Sequence, residues 1–452
     1  MESKSSRLWR TLTQTQFTLT PELGITAALA GLTLLPLFVS ATFPLLCADV
    51  QETMIDAAVL YIFGNYWRDG VYALGILAGL CALWYWGKTI HRDGLSHPDR
   101  HSLRGMPLFL GLMLGWSLLS ALCSPSRYIS FFGTAYRQEG FLTYLIYACV
   151  FASAMLLRDH HLRILAEIMA AGTAAIGILV IGTQQGWELP FYLEDARNAM
   201  FHNNNHFGYY LGLTFPISMG LVIGDGKLSP FPRLLRLAEF WLVCNAVAVN
   251  AVRGSFLGIA AGVIGWNLVI FCTKREKLFP LIMADFLFLT TVLGLNTGSE
   301  LAERFGHMAE DLTQAATGDT AALDDIGSGR GEHWRLGFQF IWERPLVGHG
   351  PDNLGYRFHD INPSLTDRPH NELLQFAASL GLPALFCYLA ALWSHFRAFL
   401  RTFRRLSVVE LSLFAAIGSY LVGSMFGNTM YYTTPYFYLF LGASYRACRE
   451  KE

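Results

Sequence analysis

Charged residues are scarce in this chain. Asp, Glu, Lys and Arg make up 15% of its 452 residues, whereas soluble domains carry about 25%. The formal net charge is −1 at pH 7 and there is no basic tail, so nucleic-acid binding has no support. The eight cysteines include no Cys-x-x-Cys pair, which leaves zinc-finger and thioredoxin-type chemistry without support. No internal repeat or low-complexity linker is visible.

Hydrophobic residues, by contrast, make up 53% of the chain and fall in long runs. Each run approaches the ~20 residues that cross ~30 Å of hydrocarbon. The sequence therefore predicts an all-α polytopic membrane protein of about twelve transmembrane helices with a helical external loop domain. The predicted spans are residues 23–46, 69–87, 106–123, 141–157, 163–183, 207–224, 234–252, 255–273, 278–295, 372–396, 411–427 and 432–446.

These spans divide the chain into three parts. Residues 1–294 hold the first nine helices, 295–371 form one large external loop, and 372–452 hold the last three helices and a cytoplasmic tail. The short loops assigned to the cytoplasm collect most of the Lys and Arg, as the positive-inside rule requires. The sequence thus predicts a multi-pass protein of the plasma (inner) membrane, with both termini cytoplasmic and the large loop outside.

Every cation assigned to the outer side is an arginine. These are Arg68, Arg127, Arg137, Arg197, Arg253, Arg304, Arg330, Arg335, Arg344, Arg357 and Arg368. The planar guanidinium binds phosphate or carboxylate through two parallel hydrogen bonds, so this distribution favours an anionic ligand at the outer face. A general preference of this chain for Arg over Lys would explain the same distribution without a ligand.

Apolar residues recur every three or four positions in the large loop, which predicts two amphipathic helices. The first is marked by Leu301, Phe305, Met308 and Leu312, and the second, at about 331–343, by Trp334, Phe338, Ile341 and Trp342 on one face. A turn-rich segment follows, with Gly348, Gly350, Pro351 and Gly355. We expect a folded cap on the membrane surface, its aromatic face toward lipid or the helix bundle.

Several short motifs lie in and beside this loop. They are Gly327-Ser-Gly-Arg330-Gly-Glu-His-Trp334, Trp342-Glu-Arg-Pro345-Leu-Val-Gly348-His-Gly350 and Pro369-His370-Asn371-Glu372, with Arg137-Gln-Glu139-Gly, Phe201-His-Asn203-Asn-Asn205-His206 and Arg253-Gly-Ser upstream. This series, together with the late position of the large loop, resembles the O-antigen ligase and polymerase superfamily. That superfamily comprises lipid-linked glycan ligases, polymerases and bacterial protein O-oligosaccharyltransferases.

The resemblance implies a C-type glycosyltransferase-like fold and activity. Such an enzyme transfers a glycan from a polyprenyl-pyrophosphate carrier to an acceptor hydroxyl on the outer face of the plasma membrane, without a cofactor and generally without a metal. The implied partners are the lipid-linked donor, membrane lipids and a hydroxyl acceptor, with no nucleic acid. The acceptor can be a lipid, a growing glycan or a protein, and the sequence does not choose among them.

The resemblance also implies roles for individual residues. Arg137, Arg253 and Arg330 would clamp the pyrophosphate, because charge developing on a leaving group needs fixed donors. His370 would be the general base, since an imidazole pKa near 6.5 suits that task. The alternative is a structural or helix-capping His370. Arg330 is counted with His370 as catalytic.

Three further residues are candidates for acceptor contact or support: Glu139, Asn205 and Asn371. Glu139 either pairs with Arg137 or contacts the acceptor, and Asn371 is suited to cap the following helix. His202 and His206 have the spacing of a metal pair on a helix, but the asparagines between them favour a helix cap. No metal site is expected.

Two other function classes remain open. A polytopic transporter or flippase of a lipid-linked or anionic substrate would fit the number of spans. It is disfavoured because no half-to-half repeat is present and the large loop follows the ninth predicted helix instead of lying midway. A membrane-anchored scaffold is the third class, and it would tolerate mutation of the polar loop residues.

Overall fold

The computed structural model describes residues 20–46, 56–94, 104–224, 228–295, 306, 320–362 and 365–452. Within these ranges the chain forms α-helices and two short 3-10 turns, and no β-strand. The helices are α1 (Pro21–Leu46), α2 (Asp56–Asp93), α3 (Met106–Leu122), α4 (Arg127–Phe132), α5 (Phe141–Ala154), α6 (Asp159–Gln184), α7 (Asn204–Gly224), α8 (Pro230–Asn250), α9 (Arg253–Thr273), α10 (Leu278–Leu295), α11 (Thr320–Glu343), α12 (Leu354–Ile361), α13 (Glu372–Leu380), α14 (Leu382–Thr402), α15 (Val408–Gly423) and α16 (Thr434–Lys451).

Seven helical segments among these ranges are long and apolar enough to cross a membrane. They are Pro21–Leu46, Tyr61–Arg92, Asp159–Gln184, Asn204–Gly224, Arg253–Thr273, Arg275–Leu295 and Val408–Phe426. Helices α3 and α5 are apolar but shorter. The prediction of an all-α polytopic membrane protein is confirmed, whereas the count of about twelve spans stays a prediction.

The burial pattern fits lipid on the outside and close packing inside. Helix α7 is buried at every position from His206 to Leu221, and it packs against α8, α9 and α15. On α10, by contrast, large apolar side chains such as Phe279, Ile282 and Phe286 are more than half exposed. A soluble protein rarely leaves so continuous an apolar face uncovered.

Helices α11, α12 and α13 form a cap with a small hydrophobic core of its own. Leu336 and Phe340 of α11 meet Leu354 and Phe358 of α12 in this core, to which α13 contributes Ala377. The ring centroids of Phe340 and Phe358 lie 5.0 Å apart in an edge-on arrangement. Because α13 packs in this core, it belongs with the cap.

Two details of the cap differ from the sequence-based expectation, namely the start of α11 and the presence of α12. Helix α11 begins at Thr320, so it continues through the Gly327–Gly331 stretch although each glycine in a helix costs about 1 kcal/mol. Its buried face carries Leu336 and Phe340, while Phe338 and Trp342 are exposed. Helix α12 was not predicted, and it contains Gly355, which the sequence analysis placed in a turn-rich segment. The helix predicted at 301–312 lies outside the described residues, apart from residue 306, which is helical.

The predicted span at 372–396 is two helices, because the chain breaks at Gly381. Its φ of +92° is a left-handed conformation that suits glycine. A Cβ atom there would lie 2.1 Å from the Leu346 carbonyl oxygen, and one on Gly348, at φ +64°, would lie 2.3 Å from that of Ser379. The Leu382 amide also donates to the Pro345 carbonyl at 2.8 Å. The two segments therefore lie backbone against backbone and join the cap to α14.

We expect Gly381→Ala to destabilise the protein. The backbone at φ +92° and ψ +161° lies in a region that is almost restricted to glycine and costs an L-residue about 1–3 kcal/mol, and the contact with Leu346 adds to that cost. The measurement is the thermal melting temperature of the detergent-solubilised protein. Gly115→Ala is the matched control, because a Cβ atom at Gly115 meets nothing within 4 Å. Equal melting temperatures for the two variants would contradict this account of the break.

Candidate functional site

Arg137 is held by a carboxylate from the cap. It lies in the loop between α4 and α5, and its Nε and Nη2 donate to the two carboxylate oxygens of Asp367, each at 2.6 Å. Burial raises the pKa of Asp367, but Arg137 lowers it by more, to about 2. The pair is therefore ionised and bidentate, which fixes the plane of the guanidinium.

His370 lies three residues after Asp367 with a left-handed φ of +52°. Its Nε2 is 3.1 Å from Oγ1 of Thr366, and the tautomer of the ring decides which of the two atoms donates. The same hydroxyl is 3.2 Å from the Arg368 carbonyl, so Thr366 orients the imidazole. Left-handed non-glycine residues are uncommon and concentrate at functional sites.

Positive charge surrounds this imidazole. Burial lowers the pKa of His370, and Arg330 and Arg137 lower it further, to about 3. Burial likewise lowers the pKa of Arg330, and nearby Arg253 adds to the lowering. The chain thus brings Arg137, Arg330 and His370 within electrostatic range of one another, with Arg253 beside Arg330, although the four residues lie on four separate elements.

A buried ion-pair network lies beneath the site. Arg368 donates to Glu139 at 2.5 Å and to Asp352 at 2.8 Å. These side chains are 3%, 9% and 3% exposed. Burial lowers the pKa of Arg368, but Glu139 and Asp352 raise it by more, so the net shift is upward. The second oxygen of Asp352 accepts from the backbone and side chain of Thr134, at 2.7 and 2.8 Å.

The loop between α15 and α16 forms the floor of the site. Arg137 Nη1 donates to Sδ of Met430 at 3.3 Å, and Arg368 Nη1 donates to the Thr429 carbonyl at 3.4 Å. The Thr429 hydroxyl donates to Glu372 at 2.8 Å, and Tyr388 of α14 donates to the same carboxyl at 2.9 Å. Irregular backbone of this kind is stable inside a membrane protein only where other protein groups satisfy it.

Glu139, Asn205 and Asn371, the three candidate supporting residues, each have defined hydrogen-bond partners. Glu139 pairs with Arg368 and accepts from Tyr147 at 2.9 Å. Asn371 is the N-cap of α13, where its Oδ1 accepts from the Leu374 amide at 3.1 Å, as its position before the helix predicted. Asn205 donates through its backbone and side chain to Asn203 Oδ1, at 2.8 and 2.9 Å, so it belongs to the first turn of α7.

Other residues at the site were not singled out from the sequence. Asp367 precedes the His370 motif by three positions, but nothing in the sequence identifies Arg137 as its partner. Tyr209 is 2% exposed and lies within electrostatic range of Arg330. In the part of the chain described here, Oη of Tyr209 and Nε1 of Trp334 have no hydrogen-bond partner despite being buried. Buried polar atoms rarely lack partners, so each of these donors is available to a polar group of a ligand.

The structure places His202 and His206 near aromatic side chains, and no third metal ligand joins them among the described residues. His202 Nε2 is 2.6 Å from the hydroxyl of Tyr136. Among the described side chains, no group of three or more His, Cys, Asp or Glu residues is placed to hold a metal ion. The side chains of Asp324 and Asp325 lie outside that set.

We expect Arg368→Ala to destabilise the protein strongly, because it leaves two buried carboxylates, Glu139 and Asp352, without their counter-charge. Removing one partner of a buried ion pair costs about 3–5 kcal/mol, which a lowered melting temperature would report. Arg357→Ala is the control, since Arg357 is 39% exposed and pairs with Glu343, and exposed pairs contribute about 0–1 kcal/mol. A similar loss in both variants would show that the network does not stabilise the fold.

Similarity to known proteins indicates the family of this chain. No curated protein matches the chain. Residues 238–389 match the family model described as O-antigen ligase, a segment that runs from α8 through the cap into α14 and includes Arg253, Arg330 and His370. This match supports membership of the chain in the O-antigen ligase superfamily, and with it a ligase- or polymerase-type function in surface polysaccharide.

Proposed function

We propose that this protein transfers a glycan from a polyprenyl-pyrophosphate carrier to an acceptor hydroxyl at the outer face of the plasma membrane. The observation that carries the proposal is that Arg137 and Arg330 both lie within electrostatic range of one imidazole, His370, while Arg253 lies within range of Arg330. Like charges gathered in a partly buried site repel one another, so a bound polyanion would stabilise the arrangement. A pyrophosphate has the required charge.

The arginines divide into two groups. The charge of Arg137 is already offset by Asp367, whereas Arg330 lies within electrostatic range of a second arginine, Arg253. We therefore assign the stronger pyrophosphate contact to Arg330 and the weaker one to Arg137. The Tyr209 hydroxyl lies within electrostatic range of Arg330, and Trp334 lies four residues after Arg330 on α11. Both have a buried donor without a partner among the described residues, and each would add a hydrogen bond to the phosphate oxygens.

In the proposed reaction, the acceptor hydroxyl oxygen attacks the anomeric carbon of the donor. The bond from that carbon to the pyrophosphate oxygen breaks, and its electron pair leaves with the polyprenyl pyrophosphate. The hydroxyl proton passes to the unprotonated ring nitrogen of His370, which the contact with Thr366 helps to orient. Arg330 stabilises the negative charge that develops on the leaving oxygen.

Binding of the donor would raise the pKa of the proposed base, His370. Without it, burial together with the charges of Arg330 and Arg137 holds the pKa of His370 at about 3, so the imidazole is neutral but weakly basic. A bound pyrophosphate offsets the charge of Arg330 and Arg137, which raises the pKa of His370 toward the range of an effective general base. Proton transfer is thereby coupled to donor binding.

The test is glycan transfer by purified protein in lipid, from a polyprenyl-pyrophosphate glycan to candidate acceptors. We expect transfer to survive EDTA, to fall by about 10²–10⁴ in His370→Ala and by about 10²–10³ in Arg330→Ala. Arg335→Ala, on the same helix and exposed, is the control and should retain activity. Unchanged transfer in both site variants would rule out this mechanism, and net lipid translocation without bond cleavage would favour a transporter.

We also propose that the large loop of residues 295–371 lies on the external side, with both termini cytoplasmic. The support is the all-arginine cation content of the segments assigned to that side and the positive-inside rule. A reporter fused near residue 320 should give an external signal in intact cells. A cytoplasmic signal would reverse the orientation and remove the basis for an external reaction.

A further inference from the structure

A half-enclosed cavity of about 490 Å³ adjoins the site. It lies between α12, the α4–α5 loop and the segment that runs from Thr366 to Arg368. Its size is within the ~300–1,000 Å³ of typical small-molecule sites. The roles assigned above to the base and the pyrophosphate clamp do not use it, apart from Arg137 in its wall.

Two tyrosines from different elements line the cavity. Tyr136 belongs to the α4–α5 loop and Tyr356 to α12, and their side chains are 50% and 54% exposed. His359, one turn after Tyr356 on the same face of α12, is also in the wall. An aromatic ring offers a flat apolar surface, and the C–H face of a sugar ring packs well against such a surface.

The polar groups of the cavity are balanced in charge. The ionised pair of Arg137 and Asp367 lies in the wall, together with Thr134 and Thr366. These groups offer donors and acceptors together, which is what a neutral sugar hydroxyl needs because it both donates and accepts. A phosphate would instead meet the Asp367 carboxylate. The cavity thus differs from the cationic side of the site around Arg330 and Arg253.

We propose that this cavity is a carbohydrate-binding subsite, which holds sugar rings against Tyr136 and Tyr356 while the Arg137–Asp367 pair binds their hydroxyls. The inference rests on the proposed transfer function, because Arg137 joins the cavity to the imidazole that receives the proton. The sugars belong either to the donor glycan or to a glycan acceptor, and these two sources share the same chemistry.

The experiment compares binding of two lipids to purified protein in nanodiscs. One is polyprenyl pyrophosphate without sugar, and the other is the glycan-bearing form extracted from cells that lack the protein. The test variants are Tyr356→Ala and His359→Ala, and Tyr356→Phe keeps the ring as a check on folding. Tyr128→Ala is the matched control, because Tyr128 is 74% exposed on α4 and does not line the cavity.

If the donor glycan occupies the cavity, Tyr356→Ala weakens binding of the glycan-bearing lipid by about five- to tenfold and leaves binding of the bare lipid unchanged. If the acceptor occupies it, donor binding is unchanged and the KM for a glycan acceptor rises by a similar factor. Tyr356→Phe and Tyr128→Ala should behave as the unmodified protein.

The inference is overturned if Tyr356→Ala and His359→Ala change neither the binding of the glycan-bearing lipid nor the KM for a glycan acceptor. It is also overturned if these variants weaken the binding of both lipids equally. Failure of the proposed function has a different signature. In that case Arg330→Ala would bind both lipids as tightly as the unmodified protein, whatever the cavity variants do.

Discussion

The buried ion pairs of Arg368 are the interaction on which the site depends. One guanidinium joins Glu139 in the α4–α5 loop, Asp352 between α11 and α12, and the Thr429 carbonyl between α15 and α16. Three loops that are far apart in the sequence thereby contact one side chain. Because the desolvated charges must all be paired, these loops have little freedom to move independently.

This constraint explains how the neighbours of Arg368 are positioned. Asp367, just before Arg368, meets Arg137, and His370 lies two residues after Arg368, just before the N-cap of α13. The left-handed backbone at His370 is maintained because both ends of the short segment are fixed. The site is therefore positioned by the ion pairs of Arg368 and by the N-cap of α13. The hydrophobic core of the cap and the α15–α16 loop support it.

Sequence reasoning succeeded where one physical signal dominates. Hydropathy predicted helical spans, and the position of Asn371 before an apolar run predicted its capping role. It failed where tertiary contacts decide. The partner of Arg137 lies 230 residues away at Asp367, and no local pattern encodes that distance. Helix α12 is eight residues long, too short for periodicity to identify.

The separation of the paired charges has a consequence for biosynthesis. Glu139 and Arg368 are 229 residues apart, and ribosomes add about 5–20 residues per second. The Glu139 carboxylate therefore waits roughly 10 to 45 s before its partner is made. During that interval it must stay hydrated or protonated, because a lone charge is too costly to bury. Final closure of this loop region is thus a late event, which follows synthesis of most of the chain.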